Sequence, residues 1–160
     1  MNIIGIQGEL NYDVHDAGAT LFSDGKHIVS ISEERISRIK YDGSFPYRAI
    51  DYCLSVGNIE KDDIDIIVYA PHGHMIEHDK IREHSKFIKS LFPNAKLWSV
   101  SHHLCHAAST VFTSPFNSGS FLTLDGIGSS IWDLVTEKTQ GWERNSIGYF
   151  DKDRGIFHFN

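Results

Sequence analysis

Ile64-Asp65-Ile66-Ile67-Val68-Tyr69-Ala70 is a β-branched, apolar run of the length of one buried strand. Downstream of it, His78 to Phe92 carries Ile81, Phe87, Ile88 and Leu91 with Lys and Glu between them. That spacing predicts an amphipathic helix, stopped by Pro93-Asn94. Lys96 to Val100 reads as another strand and His102 to Thr113 as another helix, ending near Pro115. Strands that alternate with helices predict a mixed α/β sheet.

Upstream, Ile3 to Ile6 is a short apolar strand ending at Gln7-Gly8. Ala19 to Phe22 and His27 to Ile31 are two more, joined through Asp24-Gly25, a hairpin signal. A helix follows Pro46, with Ala49, Ile50, Cys53 and Leu54 on one face and Gly57 as the expected C-cap. The order is βββαβαβα, after which Phe121 to Leu124 begins a new strand that runs into Asp125-Gly126. This end echoes Ile3 to Gly8, and Ile131 to Thr136 and Ile147 to Phe150 are expected to supply two further strands. Residues 1–117 then form a first α/β subdomain and residues 118–160 the incomplete start of a second. Three strands with no helices to cover them leave an apolar face bare, so the chain reads as one cut short.

The composition is that of a globular domain: 160 residues, 41% apolar, 22% charged, with a formal charge of −6. Acidic and basic residues are mixed and form no basic stripe, which argues against a nucleic-acid partner. No apolar run is long enough to span a membrane, and Met1 to Ile6 lacks the basic region of a signal peptide. Two cysteines without a framework of spacings, Cys53 and Cys105, suit a reducing cytoplasm.

Ten histidines are an excess, and the informative ones lie in Ser101-His102-His103-Leu104-Cys105-His106-Ala107-Ala108-Ser109. Leu104, Ala107, Ala108 and Val111 share one helical stripe, while His102, His106 and Ser109 fall on the opposite side. His102 and His106, at i and i+4, project together as helical metal-binding pairs do. His103 lies at the border of the two faces and competes for pairing with His106. Two solvated histidines on a polar face have the same pattern. Asp125 adds a third ligand at the C-terminal end of a strand, where α/β sheets place their sites, although an Asp-Gly turn also accounts for it. Two imidazoles and one carboxylate suit Fe(II), and also Zn or Mn, with positions left open for a substrate oxygen.

Tyr12 to Ala19 joins the first two strands, and within it His15 is placed to donate a hydrogen bond to a phosphate or carbonyl, or to act as a general acid or base. Ser32 to Lys40 is a charged turn whose Arg38 and Lys40 suit phosphate oxygens. Surface residues in ordinary turns look the same. His72, His74, His78 and His84 are scattered over a loop and helix and read as solvated.

In combination these segments resemble the carbamoyltransferase family of nodulation and antibiotic-tailoring enzymes (NodU/CmcH type). The resemblance rests on His15-Asp16-Ala17 with Ala19, on Ser32-Glu33-Glu34-Arg35 with Ser37-Arg38 and Lys40, and on Asp42-Gly43-Ser44-Phe45-Pro46. It continues through His102-His103-Leu104 with His106-Ala107-Ala108-Ser109, Thr113-Ser114-Pro115-Phe116, and Leu122-Thr123-Leu124-Asp125-Gly126. Gly18, Ile36, Tyr41 and Cys105 depart from that family's usual residues.

The resemblance implies an actin-like (ASKHA, ribonuclease H-like) duplicated fold and an iron-type metal on His102, His106 and Asp125, with a further aspartate supplied from much later in the chain. It implies ATP and carbamoyl phosphate as substrates of the complete enzyme, and a carbamoyl-adenylate whose carbamoyl group moves to the hydroxyl of a small-molecule acceptor. His15 and Lys40 would then face the carbamoyl-adenylate, supported by Asp16 and Arg38. The second subdomain and the adenylate-forming domain would be the chain's partners, and this portion alone would be inactive. Two other readings stand beside it. One is a non-catalytic fragment that binds a metal or a partner. The other is an actin-fold kinase or ATPase, which wants an acid at the end of the first strand, where this chain has Gln7.

Overall fold

The structure, a computed structural model, describes residues 1–10, 15–70, 78–126, 130–133 and 138–159. The described residues divide into two compact units, the first running through Ser99 and the second beginning at Val100. The boundary expected at 117/118 follows the topology of the strands; by packing, the helix that begins at His102 travels with the second unit.

The first unit opens with β1 (Asn2–Gln7), β2 (Gly18–Ser23) and β3 (Lys26–Ser32), an antiparallel meander. Asp24 and Gly25 both take positive φ, 49° and 75°, as the expected two-residue hairpin turn requires. Next come α1 (Glu33–Ser37), α2 (Tyr47–Gly57), β4 (Ile66–Tyr69), α3 (His78–Leu91) and β5 (Lys96–Ser99). The sheet order is β3-β2-β1-β4-β5, with β4 parallel to both β1 and β5. Ile4, Ile6, Leu21 and Ile67 on one sheet face pack with Ile50 and Leu54 of α2 and with Ile88 and Phe92 at the end of α3 to form the core.

Three local features differ from expectation. The charged turn contains the short helix α1, and its Glu33 is buried. The Glu33 carboxylate accepts from the backbone N–H groups of Arg48 and Ala49, 3.3 and 2.8 Å away, so it satisfies the otherwise bare N-terminus of α2. The left-handed cap of α2 is Asn58 (φ 51°), not Gly57. Gly57 is the last helical residue, and a Cβ there would come within 2.5 Å of Leu21 Cδ2, so glycine serves close packing of helix on strand. Finally, His84 is buried, not solvated: its ring stacks on Tyr69 with centroids 4.9 Å apart. His72 and His74 lie outside the described residues.

The second unit contains α4 (His102–Thr113), β6 (Ser118–Leu124), β7 (Ser130–Asp133), β8 (Lys138–Trp142), β9 (Asn145–Asp151) and β10 (Ile156–Phe159). Its main sheet has the order β10-β9-β6, all antiparallel. Ala107 and Val111 of α4 pack on Phe121 and Phe150, with Phe157 and Phe159 alongside. The strand expected at Ile131 to Thr136 begins as β7, but it pairs with β8 in a separate hairpin; residues 134–137 lie outside the description. β6 therefore skips that hairpin and pairs with β9, and β9 and β10 are the counterparts of β2 and β3.

Candidate metal centre

Ser101 caps α4: its Oγ accepts from the N–H of Leu104 at 3.2 Å, which starts the helix at His102. The helical repeat then sets His102 and His106 on one face, with ring centroids 4.6 Å apart and nearly perpendicular planes. Asp125 follows the end of β6. Its backbone N–H donates to Arg144 O at 2.9 Å, which continues the β6–β9 pairing by one residue. Its Oδ1 accepts from the Gly126 N–H at 2.6 Å, leaving Oδ2 to face the helix.

The donor atoms converge. His102 Nε2 is 2.7 Å from Asp125 Oδ2, His106 Nε2 is 3.6 Å from the same oxygen, and the two Nε2 atoms are 3.0 Å apart. Among the described residues these three form the one group of this kind. Burial pushes the Asp125 carboxyl pKa up, but the Gly126 N–H and the two imidazoles outweigh it and hold the group below its ordinary value. An ion with bonds of about 2.1 Å to each donor needs donor separations of about 3.0–3.4 Å. The observed distances bracket that range, and the donor set is the two-nitrogen, one-oxygen set of Fe(II), Zn or Mn sites. His102 is 16% exposed and His106 53%, so the cluster opens to solvent on the His106 side.

His103 is not part of this cluster. It is fully buried beneath α4, with Nδ1 2.8 Å from Ser146 Oγ. The competing pair of His103 and His106 is thereby removed. Three further participants were not among the expected site residues, and only Gly126, in its Asp-Gly turn, had a signal in the sequence. Gly126 contributes only its N–H, Ser146 lies on a strand 43 residues from His103, and Glu143 reaches the His103 N–H at 3.5 Å.

The residues expected to face substrate lie in the first unit. His15 Nδ1 is 2.7 Å from Asp16 Oδ2, and Asp16 takes a positive φ of 61°. Ala17 N–H donates to Asp42 O at 2.8 Å, which ties this loop to the segment after α1. Arg38 is the left-handed cap of α1 (φ 64°), and the Lys40 amine lies over the Tyr41 ring, 4.8 Å from its centroid. Tyr12 to Val14 of the same loop lie outside the described residues.

The chain matches the family described as the carbamoyltransferase N-terminus over residues 2–92 and 78–151. It is 34% identical to the nodulation protein NolNO of Sinorhizobium fredii, covering 74% of this chain and 20% of that protein. An uncharacterized protein of Synechocystis is 29% identical over 81% of this chain and 27% of its own length. YeaZ from Pseudomonas aeruginosa has a similar fold, with TM-score 0.54 at 10% identity over 99% of this chain and 64% of that one. The fold is thus the actin-like mixed α/β class. This chain belongs to the carbamoyltransferase N-terminal family. It spans between a fifth and about a quarter of the length of these curated relatives. Among the described residues no helix is long and apolar enough to cross a membrane.

Proposed function

We propose that this chain is the N-terminal portion of a metal-dependent enzyme that moves a carbamoyl group from carbamoyl phosphate, by way of a carbamoyl-adenylate, to a substrate hydroxyl. The observation that carries the reading is the convergence of His102, His106 and Asp125 within a chain of this family. These three residues would hold the divalent ion, with Fe(II) favoured and Zn or Mn fitting the same donors. When bound, the ion supplies positive charge against which phosphate and acceptor oxygens are oriented and stabilised.

In the transfer step the acceptor oxygen bonds to the carbamoyl carbon, the bond from that carbon to the adenylate oxygen breaks, and AMP leaves with the electron pair. The acceptor hydroxyl proton needs a base, and His15 is the candidate. Asp16 accepts from Nδ1–H, which leaves the lone pair of His15 on Nε2. Lys40 and Arg38 are exposed cations suited to the phosphate oxygens. Acceptor recognition and adenylate formation fall to other parts of the larger enzyme.

The test is elemental analysis after anaerobic loading with Fe(II), on this chain and on its His102→Ala and His106→Ala variants. About one equivalent in the parent, lost in both variants, is the expected result. Stoichiometric binding that survives both substitutions would sink the assignment.

A further inference from the structure

We propose that His103 and Ser146 are a positioning pair: their buried hydrogen bond fixes the rotation of α4 on the β6–β9 ladder and so holds His102 and His106 over Asp125. The inference rests on reading those three residues as metal ligands.

The buried seam of α4 is His103, Ala107 and Val111, each at most 2% exposed. Ala107 and Val111 meet Phe121 and Phe150 in a purely apolar contact. The chemistry changes at the end of the seam nearest the ligands. There His103 Nδ1 stands 2.8 Å from Ser146 Oγ, and Ser146 pairs across the ladder with Thr123, also buried. Thr123 precedes Asp125 by two residues, so the rung on which His103 rests is next to the one that carries the carboxylate.

Helical geometry turns a fixed His103 into fixed ligands. Successive residues are about 100° apart, so with His103 aimed at the sheet, His102 lies about 100° and His106 about 60° to the same side. That is the side of Asp125 Oδ2, 2.7 Å from His102 Nε2 and 3.6 Å from His106 Nε2. Apolar burial is non-directional and leaves the angle of a helix loosely set, whereas a hydrogen bond is directional. Glu143 ties the same residue a second time, accepting from the His103 backbone N–H at 3.5 Å.

Stability does not account for an imidazole at this place. His103 Nε2 is buried with no partner among the described residues. Burying a ring nitrogen unsatisfied opposes folding, and a leucine in the seam would avoid that cost. What the histidine adds is the bond to Ser146, and hence the angle of α4.

The test uses the 160-residue protein with Co(II) as the probe, whose d–d absorption reports coordination geometry. His103→Leu keeps the seam apolar and removes the bond, whereas His103→Asn sets an amide where Nδ1 stands and can still reach Ser146. His103→Leu should weaken Co(II) binding about tenfold or more and alter the spectrum. Its urea midpoint without metal should be unchanged or higher. His103→Asn should keep the affinity and spectrum of the parent. Ser146→Ala should act as His103→Leu does, and combining the two should add nothing further. Without metal, the ring 15N shifts of His102 at fixed pH read its contact with Asp125, and they should move in His103→Leu but not in His103→Asn. Parent affinity, spectrum and ring shifts in His103→Leu would overturn the proposal, as would His103→Asn failing in the same way as His103→Leu. A parent that takes up no Co(II) while the His102 shifts still respond would remove the metal reading and leave the positioning pair standing.

Discussion

Nε2 of His102 and Oδ2 of Asp125 stand 2.7 Å apart although 23 residues separate them in sequence. Neither atom is held by the other alone. The first turn of α4 is started by Ser101, and the far oxygen of Asp125 is clamped by the Gly126 N–H. The approach therefore depends on a helix cap and a turn, both of which can be altered without touching a ligand.

Ser101→Ala should remove the cap and cost about 1 kcal/mol of stability. Because His102 is the first residue of α4, fraying of that turn should also weaken metal binding, whereas Ser101→Asp should restore both. Urea denaturation and a competitive chelator titration read the two effects. If Ser101→Ala changes neither, the cap does not set the position of His102.

Asp16→Asn should change the tautomer of His15. The carboxylate accepts only from Nδ1–H, whereas an amide can offer either a donor or an acceptor. Ring 15N chemical shifts of His15 should show Nδ1–H in the parent and a mixture in the variant. An unchanged spectrum would mean that Asp16 does not orient the imidazole.

His84 should make the protein lose stability in mild acid. Burial lowers its pKa, against a smaller opposing effect of its hydrogen bond to the Gly8 carbonyl and of Glu83. The folded value thus lies beneath the unfolded one of about 6.5, and between the two the unfolded chain binds more protons. Stability then falls as pH drops below about 6.5, and the loss is complete only beneath the folded value. His84→Phe, set among Phe45, Tyr69 and Phe87, removes the titrating group together with a buried Nε2 that has no partner among the described residues. Melting temperatures measured between about pH 7.5 and pH 5 should decline less in the variant than in the parent. Parallel curves would refute the account.

Asp42 acts with the same sign through a different group. Burial pushes its carboxyl pKa up, but hydrogen bonds from Ser37 and Ser44 and the charge of Arg48 outweigh it and hold the value below the usual one. Its stabilisation is therefore full above about pH 4 and is lost as pH falls through the folded value. Asp42→Asn should cost roughly 1–3 kcal/mol at neutral pH, because it weakens bonds to a buried charged acceptor. Chemical denaturation at about pH 7 and pH 3 should show the gap between parent and variant closing in acid.

Element type was legible in the sequence wherever it is a local property. The β-branched run around Ile67, the amphipathic period from His78 to Phe92 and the Asp24-Gly25 turn each state their own conformation through side-chain spacing and backbone preference. The pairing of His102 with His106 was legible for the same reason, since four residues make about one helical turn. Tertiary structure alone decided which distant groups meet. It paired β6 with β9 across an intervening hairpin, buried His103 on Ser146 and His84 on Tyr69, and set the Glu33 carboxylate on the N-terminus of α2. Strand partners and the burial of a polar side chain depend on atoms tens of residues away, and only the packed chain brings those atoms within reach.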